Sequence, residues 1–240
     1  MHHRPDCLHP TSEELGWATY SVDVPRSVPS PDDLATVRAS YDRVADRYVA
    51  MGVGELGSYP WLRAALAAFA EEVRTRGPVV DVGCGPGHVT AHLAGLGLDV
   101  RGIDLSPRMV EHARRLHPDL RFDVASATDL AVDDGSLGGV LGWWSLFNLP
   151  RHVLPEVVAS FAAALAPGGQ VLIGTHVGDG DVVRTEAYGG VPVAWTTHLW
   201  QPDRLAALLA EAGLELVSEL RLRADLSGHP QVALAARRPG

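Results

Sequence analysis

The sequence predicts one α/β domain, with helices covering both faces of a largely parallel sheet and a helical appendage ahead of it. Two observations carry that prediction. From Pro78 onward, short apolar runs of strand type alternate with segments of helical period. A glycine-rich turn also joins the first such run to the helix after it, leaving bare backbone where a ligand can approach. The chain has 240 residues, 46% hydrophobic and 20% charged, enough to enclose a large core and too ordinary for disorder or low complexity.

The elements follow in order. Residues 1–33 read as an extended arm, because Pro5, Pro10, Pro25, Pro29 and Pro31 interrupt any sustained period. The first helix is expected after Ser30-Pro31-Asp32-Asp33, with acids at its positive end, and runs through Tyr41 and Tyr48. A second follows Tyr59-Pro60, where Trp61, Leu62, Ala65, Leu66 and Phe69 recur at helical spacing. Residues 34–77 thus form the appendage. Strands are then expected at Val79–Val82, 99–103, 120–124, Leu137–Trp143 and 170–175, with helices at 88–96, Pro107–Leu116 and 154–165. Residues 178–197 are glycine-rich and read as irregular. A helix at 202–212 and a strand pair at 214–223 and Gln231–Arg237 close the domain, which spans 78–240.

Composition excludes several function classes. With 20 basic against 29 acidic residues, the chain lacks the positive field of a general nucleic-acid or membrane-surface binder. All 20 basic residues are Arg, which removes lysine-base and Schiff-base chemistry. Cys7 and Cys84 build neither a disulfide framework nor a zinc site, so no metal is expected and a reducing cytoplasm is the simplest compartment. No apolar run approaches the roughly 20 residues of a membrane span, and residues 1–10 lack the apolar core of a secretory signal.

The informative segment is Val79-Val80-Asp81-Val82-Gly83-Cys84-Gly85-Pro86-Gly87-His88. His88 stands where a dinucleotide fingerprint places its last glycine, which disfavours a pyrophosphate and hence a hydride-transferring dehydrogenase. Asp81 at the strand's end would repel a phosphate and suit an ammonium group. Asp104 ends the next strand, where a carboxylate accepts both hydroxyls of an unphosphorylated ribose. A ligand with a ribose, an amine and no phosphate meets all three constraints, and S-adenosylmethionine is the obvious one.

Asp81–His88, the stretch Ile103-Asp104-Leu105-Ser106-Pro107 with Met109, and Pro167-Gly168-Gly169 before a strand together resemble the class I S-adenosylmethionine-dependent methyltransferases, from about Tyr41 to the end of the chain. The resemblance implies a Rossmann-like, doubly wound seven-stranded sheet whose last strand is antiparallel. It places Gly83, Gly85 and Gly87 along the methionine moiety, Asp81 near its amino group and Asp104 on the ribose. Leu105 and Met109 would lie against adenine, with Ser126, Ala127 and Trp143 nearby. Tyr41 and Tyr48 would sit on a helix closing over the cofactor. Two blander readings stand beside these. Asp104 can be a strand-end cap, and the tyrosines, seven apart, can be helix packing.

Two departures from the family stand out. Ser126 replaces an Asp that receives the adenine amino group in many relatives, and Leu137-Gly138-Gly139 replaces a Phe-Asp pair. Substrate-facing residues should come from the loops after the fourth and fifth strands. Trp144 and Asn148 lie after the fourth, Asn148 where relatives often carry His. His176 ends the fifth strand and is the candidate base or orienting group, with His198 a second, since imidazole titrates near neutrality. Trp195, His198 and Trp200, within a substrate loop at 178–200, would roof the pocket. His152 follows close behind Asn148 and is a further candidate; His112 and His117 read as surface residues. The expected activity is in-line methyl transfer to the oxygen or nitrogen of a small metabolite, in specialised metabolism and without nucleic-acid or membrane partners. The alternatives are a related fold recruited for a cyclisation, with the cofactor idle or structural, and a non-catalytic subunit requiring a partner. Oligomeric state is open.

Overall fold

The computed structural model describes residues 31–224 and 228–240. The expected arm lies outside them, save for residues 31–33, which open helix α1 (Pro31–Ala50) three residues earlier than its acids suggest. Proline favours that first helical position, where its missing N–H would have no partner in any case. Helix α2 (Pro60–Val73) completes the appendage.

Strands β1 (Val79–Val82), β2 (Val100–Asp104), β3 (Arg121–Val124), β4 (Leu137–Trp143), β5 (Leu165–His176), β8 (Glu215–Leu222) and β9 (Gln231–Arg237) form one seven-stranded sheet, in the order β3-β2-β1-β4-β5-β9-β8. Pairings from β3 to β5 are parallel, and β9 runs antiparallel to both β5 and β8. Helices α3 (His88–Gly95), α4 (Pro107–Leu116), α5 (Leu154–Ala164) and α6 (Pro202–Glu211) cross between strands. Alternation along each strand sorts the core into two layers. Val80, Val82, Val140, Val171 and Ile173 pack on α5 and α6, including Phe161 and Leu209. Val79, Leu141 and Leu172 face the other way, onto Leu66 and Phe69 of α2 and Leu93 of α3. Neither layer leaves room for larger residues in β4. A Cβ on Gly138 would lie 2.6 Å from the Gly77 carbonyl oxygen, and one on Gly139 would lie 2.7 Å from the Phe69 ring. The departure at Leu137-Gly138-Gly139 is therefore a packing feature.

The segment read as irregular is a hairpin of β6 (Asp181–Ala187) and β7 (Val191–His198), separate from the main sheet. Its turn is Tyr188-Gly189-Gly190, with φ of 49°, 82° and 81°, a conformation two glycines make accessible. Val193, Trp195 and Thr197 are buried alternately, and with Val37 and Val44 of α1 the hairpin's apolar face closes a third cluster. The alternation was present in the sequence, but the glycines at the turn obscured it.

Candidate active site

One cavity of about 1000 Å³ runs along the carboxyl edge of the sheet, from β2 across β1, β4 and β5 to the start of β9. Its roof is α1 and the connector between α1 and α2. Such an edge, where strand order reverses, is where doubly wound sheets hold ligands.

The β1–α3 turn is built by backbone. Gly83 and Cys84 both donate their N–H groups to the Ile103 carbonyl, at 2.8 and 3.0 Å. The three glycines, all at positive φ, serve different ends. A Cβ on Gly83 would fall 2.3 Å from the Ser145 Cβ, and one on Gly87 would fall 2.7 Å from the Phe122 ring, so both are required by packing. A Cβ on Gly85 would meet nothing within 4 Å. Gly83 and Gly85 line the cavity, whereas Gly87 does not; its expected contact with a ligand is replaced by a close approach of α3 to Phe122.

Two carboxylates face this turn. Asp104 accepts from the Gly85 N–H and the Ser106 N–H, both at 2.8 Å, which holds it as part of the turn while its other lone pairs remain available. Burial raises its pKa to about 6, against the pull of those two hydrogen bonds. Asp81 is buried, accepts from the Thr90 hydroxyl at 2.6 Å, and is pushed up to about 7 by burial, with Asp104 adding to the effect. These groups suit an amine and a pair of hydroxyls, and a cradle that is open only over Gly85 fits a ligand lying on bare backbone. Leu105, Met109, Ser126 and Ala127 line the adjoining wall. The Ser126 hydroxyl is 2.7 Å from that of Thr128 and accepts from the Thr128 N–H.

The roof is clamped on two sides. Asp42 accepts from the Ser106 hydroxyl at 2.6 Å, and Asp46 takes both Arg108 and His112, at 2.9 and 2.7 Å. His112, read from sequence as a surface residue, is thereby buried between α1 and α4. On the other side, the Ser40 hydroxyl pairs with Ala194 and Arg43 donates to the Pro192 carbonyl. Tyr41 and Tyr48 both line the cavity and both pack. Tyr41 stacks on Trp195 with centroids 4.7 Å apart and planes 2° apart, and donates its hydroxyl to Asn148 Oδ1 at 2.8 Å. Asn148 in turn donates to the Thr196 carbonyl at 3.0 Å. It lines the cavity, but both ends of its amide hold protein partners.

From the end of β4 onward the lining includes Trp143, Trp144, Ser145, Phe147, Asn148, His176 and Gln231. Trp144 takes φ of 49° and lies over Gly174, where a Cβ would be 2.3 Å from its ring. His176 is buried at the end of β5, with the Phe147 ring 5.3 Å away. The expected aromatic roof is not formed. Trp195 is buried behind Tyr41. His198 pairs with Asp181 at 2.8 Å, and Trp200 packs in the core with Arg151 4.9 Å above its ring; none of the three lines the cavity. These residues face away because the hairpin turns its apolar side to α1. His152 is exposed and does not line the cavity either.

Sequence reasoning missed His88, Gln231 and the connector holding Gly52, Gly54 and Glu55, all of which line the cavity. His88 Nε2 is buried without a hydrogen-bond partner among the described residues, and burial lowers its pKa. The glycines of the connector were a usable signal; the position of Gln231 depends on strand register. Among the described residues no group of His, Cys, Asp and Glu could hold a metal ion, and no helix is long and apolar enough to cross a membrane.

The chain is similar to known proteins in sequence and in fold. Residues 79–169 match the family described as "Methyltransferase domain". The chain is 33% identical to a ubiquinone biosynthesis O-methyltransferase of Xanthomonas axonopodis pv. citri, over 64% of this chain and 72% of that protein. It is 33% identical to a demethylmenaquinone methyltransferase of Beutenbergia cavernae, but spans only 58% of that relative's length. Among solved structures, the Burkholderia thailandensis 1,6-didemethyltoxoflavin-N1-methyltransferase, with 1,6-didemethyltoxoflavin and S-adenosylhomocysteine bound, superposes with a TM-score of 0.71 over 99% of both chains at 21% identity.

Proposed function

Since the chain belongs to the class I S-adenosylmethionine-dependent methyltransferases, we propose that it transfers a methyl group to the oxygen or nitrogen of a small metabolite, in specialised metabolism in the cytoplasm. One observation carries this reading. The Gly85 backbone, Asp81 and Asp104 share a single cavity with a second, largely aromatic end at Trp144, Phe147 and His176. The first end suits the cofactor and the second an acceptor.

Bound S-adenosylmethionine supplies an electrophilic methyl on a sulfonium. The residues of this chain then have three tasks. Asp104 holds the ribose hydroxyls and Asp81 the amine, while Gly83 and Gly85 support the methionine moiety. Residues 34–77 act as the lid, with Leu105, Met109, Ser126 and Ala127 against the adenine. The 178–200 segment supports that lid from behind through its hairpin. Alignment of the acceptor within about 3–3.5 Å of the methyl does most of the work, because charge disperses during the transfer. His176 orients the acceptor or receives its proton.

Calorimetric titration with S-adenosylmethionine, followed by a search for S-adenosylhomocysteine formed with candidate acceptors, tests the reading. Micromolar cofactor binding and acceptor-dependent product are expected. Absence of cofactor binding would overturn it, and tight binding with no S-adenosylhomocysteine from any acceptor would support the cyclisation alternative.

A further inference from the structure

We infer that Tyr188, carried to the cavity by the turn of the β6–β7 hairpin, is a specificity-determining residue that donates a hydrogen bond to a neutral oxygen of the acceptor; this rests on the methyl transfer proposed above. Of residues 178–200, Tyr188 alone lines the cavity. The hairpin therefore does more than brace α1, because it delivers one side chain to the site.

The backbone sets that side chain apart. Among the described residues, the non-glycine residues at positive φ are Trp144 and Tyr188, both at 49°, and both line this cavity. A bulky residue is strained in that conformation, and such strain collects where ligands are held. Glycine would take the first turn position without strain, as Gly189 and Gly190 do at the next two. A tyrosine stands there instead and is only 6% exposed, although turn residues ordinarily face solvent.

Neighbouring rings fix its position. Tyr188 meets Tyr48 edge-on, with centroids 5.0 Å and planes 68° apart, and lies 6.4 Å from Trp195. Its hydroxyl takes no hydrogen bond among the described residues, yet it is not one of the polar atoms sealed inside the fold, so the cavity reaches it. Burial raises its pKa, with Tyr41 and Tyr48 adding to the effect, so the group stays protonated and offers a donor. Its place is on the acceptor side of the roof. Asp104 acts on the hydroxyls of Tyr41 and Tyr48, whereas the groups acting on Tyr188 are those two tyrosines and Arg184. From Tyr188 the contacts lead through Trp195 and Tyr41 to Asn148 in the acceptor wall. Met51 and Val53 of the connector share its cluster and line the same cavity, so the donor stands on an apolar wall. An apolar body carrying one neutral oxygen matches that surface. A bare hydrocarbon would strip water from the hydroxyl and leave it unpaired.

The test uses the full chain saturated with S-adenosylhomocysteine, titrated calorimetrically with 1-tetralone and with tetralin, the same skeleton without the oxygen. 1-Tetralone is expected to bind at least about fivefold more tightly. Tyr188→Phe should cut that advantage to less than about twofold and leave S-adenosylhomocysteine affinity within about twofold. Its melting temperature should stay within about 2 °C, because no described residue loses a hydrogen bond. A merely structural hydroxyl would do the reverse, lowering the melting temperature and leaving the probe preference intact. Equal binding of the two probes, no binding of 1-tetralone, or a Tyr188→Phe protein that keeps the preference would each overturn the inference. So would a loss of S-adenosylhomocysteine affinity in that variant, which would put the hydroxyl on the cofactor. Should Tyr188→Phe not fold, the probe preference of the unmodified protein still decides. Failure of the unmodified protein to bind S-adenosylhomocysteine at all would instead sink the methyltransferase reading.

Discussion

The two ends of the cavity are built by different means. At the β1–β2 end, Asp81, the glycine turn and Asp104 come from one short stretch of sequence, and backbone hydrogen bonds fix the turn: Asp104 to the Gly85 and Ser106 amides, Gly83 and Cys84 to Ile103. At the β4–β9 end, Trp144, His176 and Gln231 come from three separate strands or loops, and Tyr41 from α1 holds Asn148 across 107 residues. A ligand bound by the first end meets a fixed local motif. The second end depends on how distant elements pack, so its chemistry can vary without disturbing the first.

The largest effect expected separates packing from ligand contact within the glycine turn. Gly83→Ala forces a Cβ into Ser145 at a positive φ, combining overpacking with left-handed strain, and should destabilise the fold by about 2–4 kcal/mol. Gly85→Ala carries only the strain, about 1–2 kcal/mol, because nothing lies within 4 Å. Its methyl projects into the cavity instead, so it should fold and bind S-adenosylmethionine weakly. Thermal melts and calorimetry on both variants check this; equal melting temperatures would place Gly83 and Gly85 in the same role.

Next in size is Asp104→Ala, which removes the acceptors for buried hydroxyls and leaves two backbone amides unpaired. A loss of about 1–3 kcal/mol in cofactor affinity is expected. His176→Ala acts at the other end and should lower turnover far more than cofactor affinity. If the two variants gave the same profile, the division of the cavity would be wrong.

The carboxylates also give the cofactor end a pH signature of predictable sign. Asp81 and Asp104 are raised to about 7 and about 6, above their unfolded values. Their contribution to the stability of the ligand-free protein is therefore fully present below about pH 4 and lost as pH rises through 6 to 7. The part of cofactor binding that needs Asp104 ionised should run the opposite way, weakening about tenfold as pH falls from 7 to 5. Asp104→Asn should flatten both trends, whereas Gln231→Leu should flatten neither.

That division also explains what the sequence made legible. The strands of the main sheet and the helices between them follow from local period and stand as read, and Asp81 and Asp104, singled out by one short motif, both line the cavity. The acceptor end was legible only in part. His176 could be placed because it ends a strand, but Gln231 requires the β5–β9 register. Trp195, His198 and Trp200 were aimed at the pocket because a run of glycines hid the two-residue alternation of a hairpin, whose buried face belongs to α1. His112 looked exposed on a polar helix until α1 supplied Asp46.

The smallest effect tests whether the two ends communicate through the roof. Tyr41 touches both: its ring lines the cavity over the cofactor end, and its hydroxyl holds Asn148 in the acceptor wall. Burial raises its pKa, so the hydroxyl stays protonated and donates. Tyr41→Phe keeps the stack on Trp195 and deletes that single bond, leaving Asn148 Oδ1 without its donor in a buried site. A stability loss of about 0.5–1.5 kcal/mol is expected. If Asn148 only braces the wall, acceptor KM rises, cofactor affinity changes by less than about twofold, and Asn148→Asp gives no rescue. Were cofactor affinity to fall in step with acceptor KM, α1 would be coupling the ends, and the independence argued from their construction would fail.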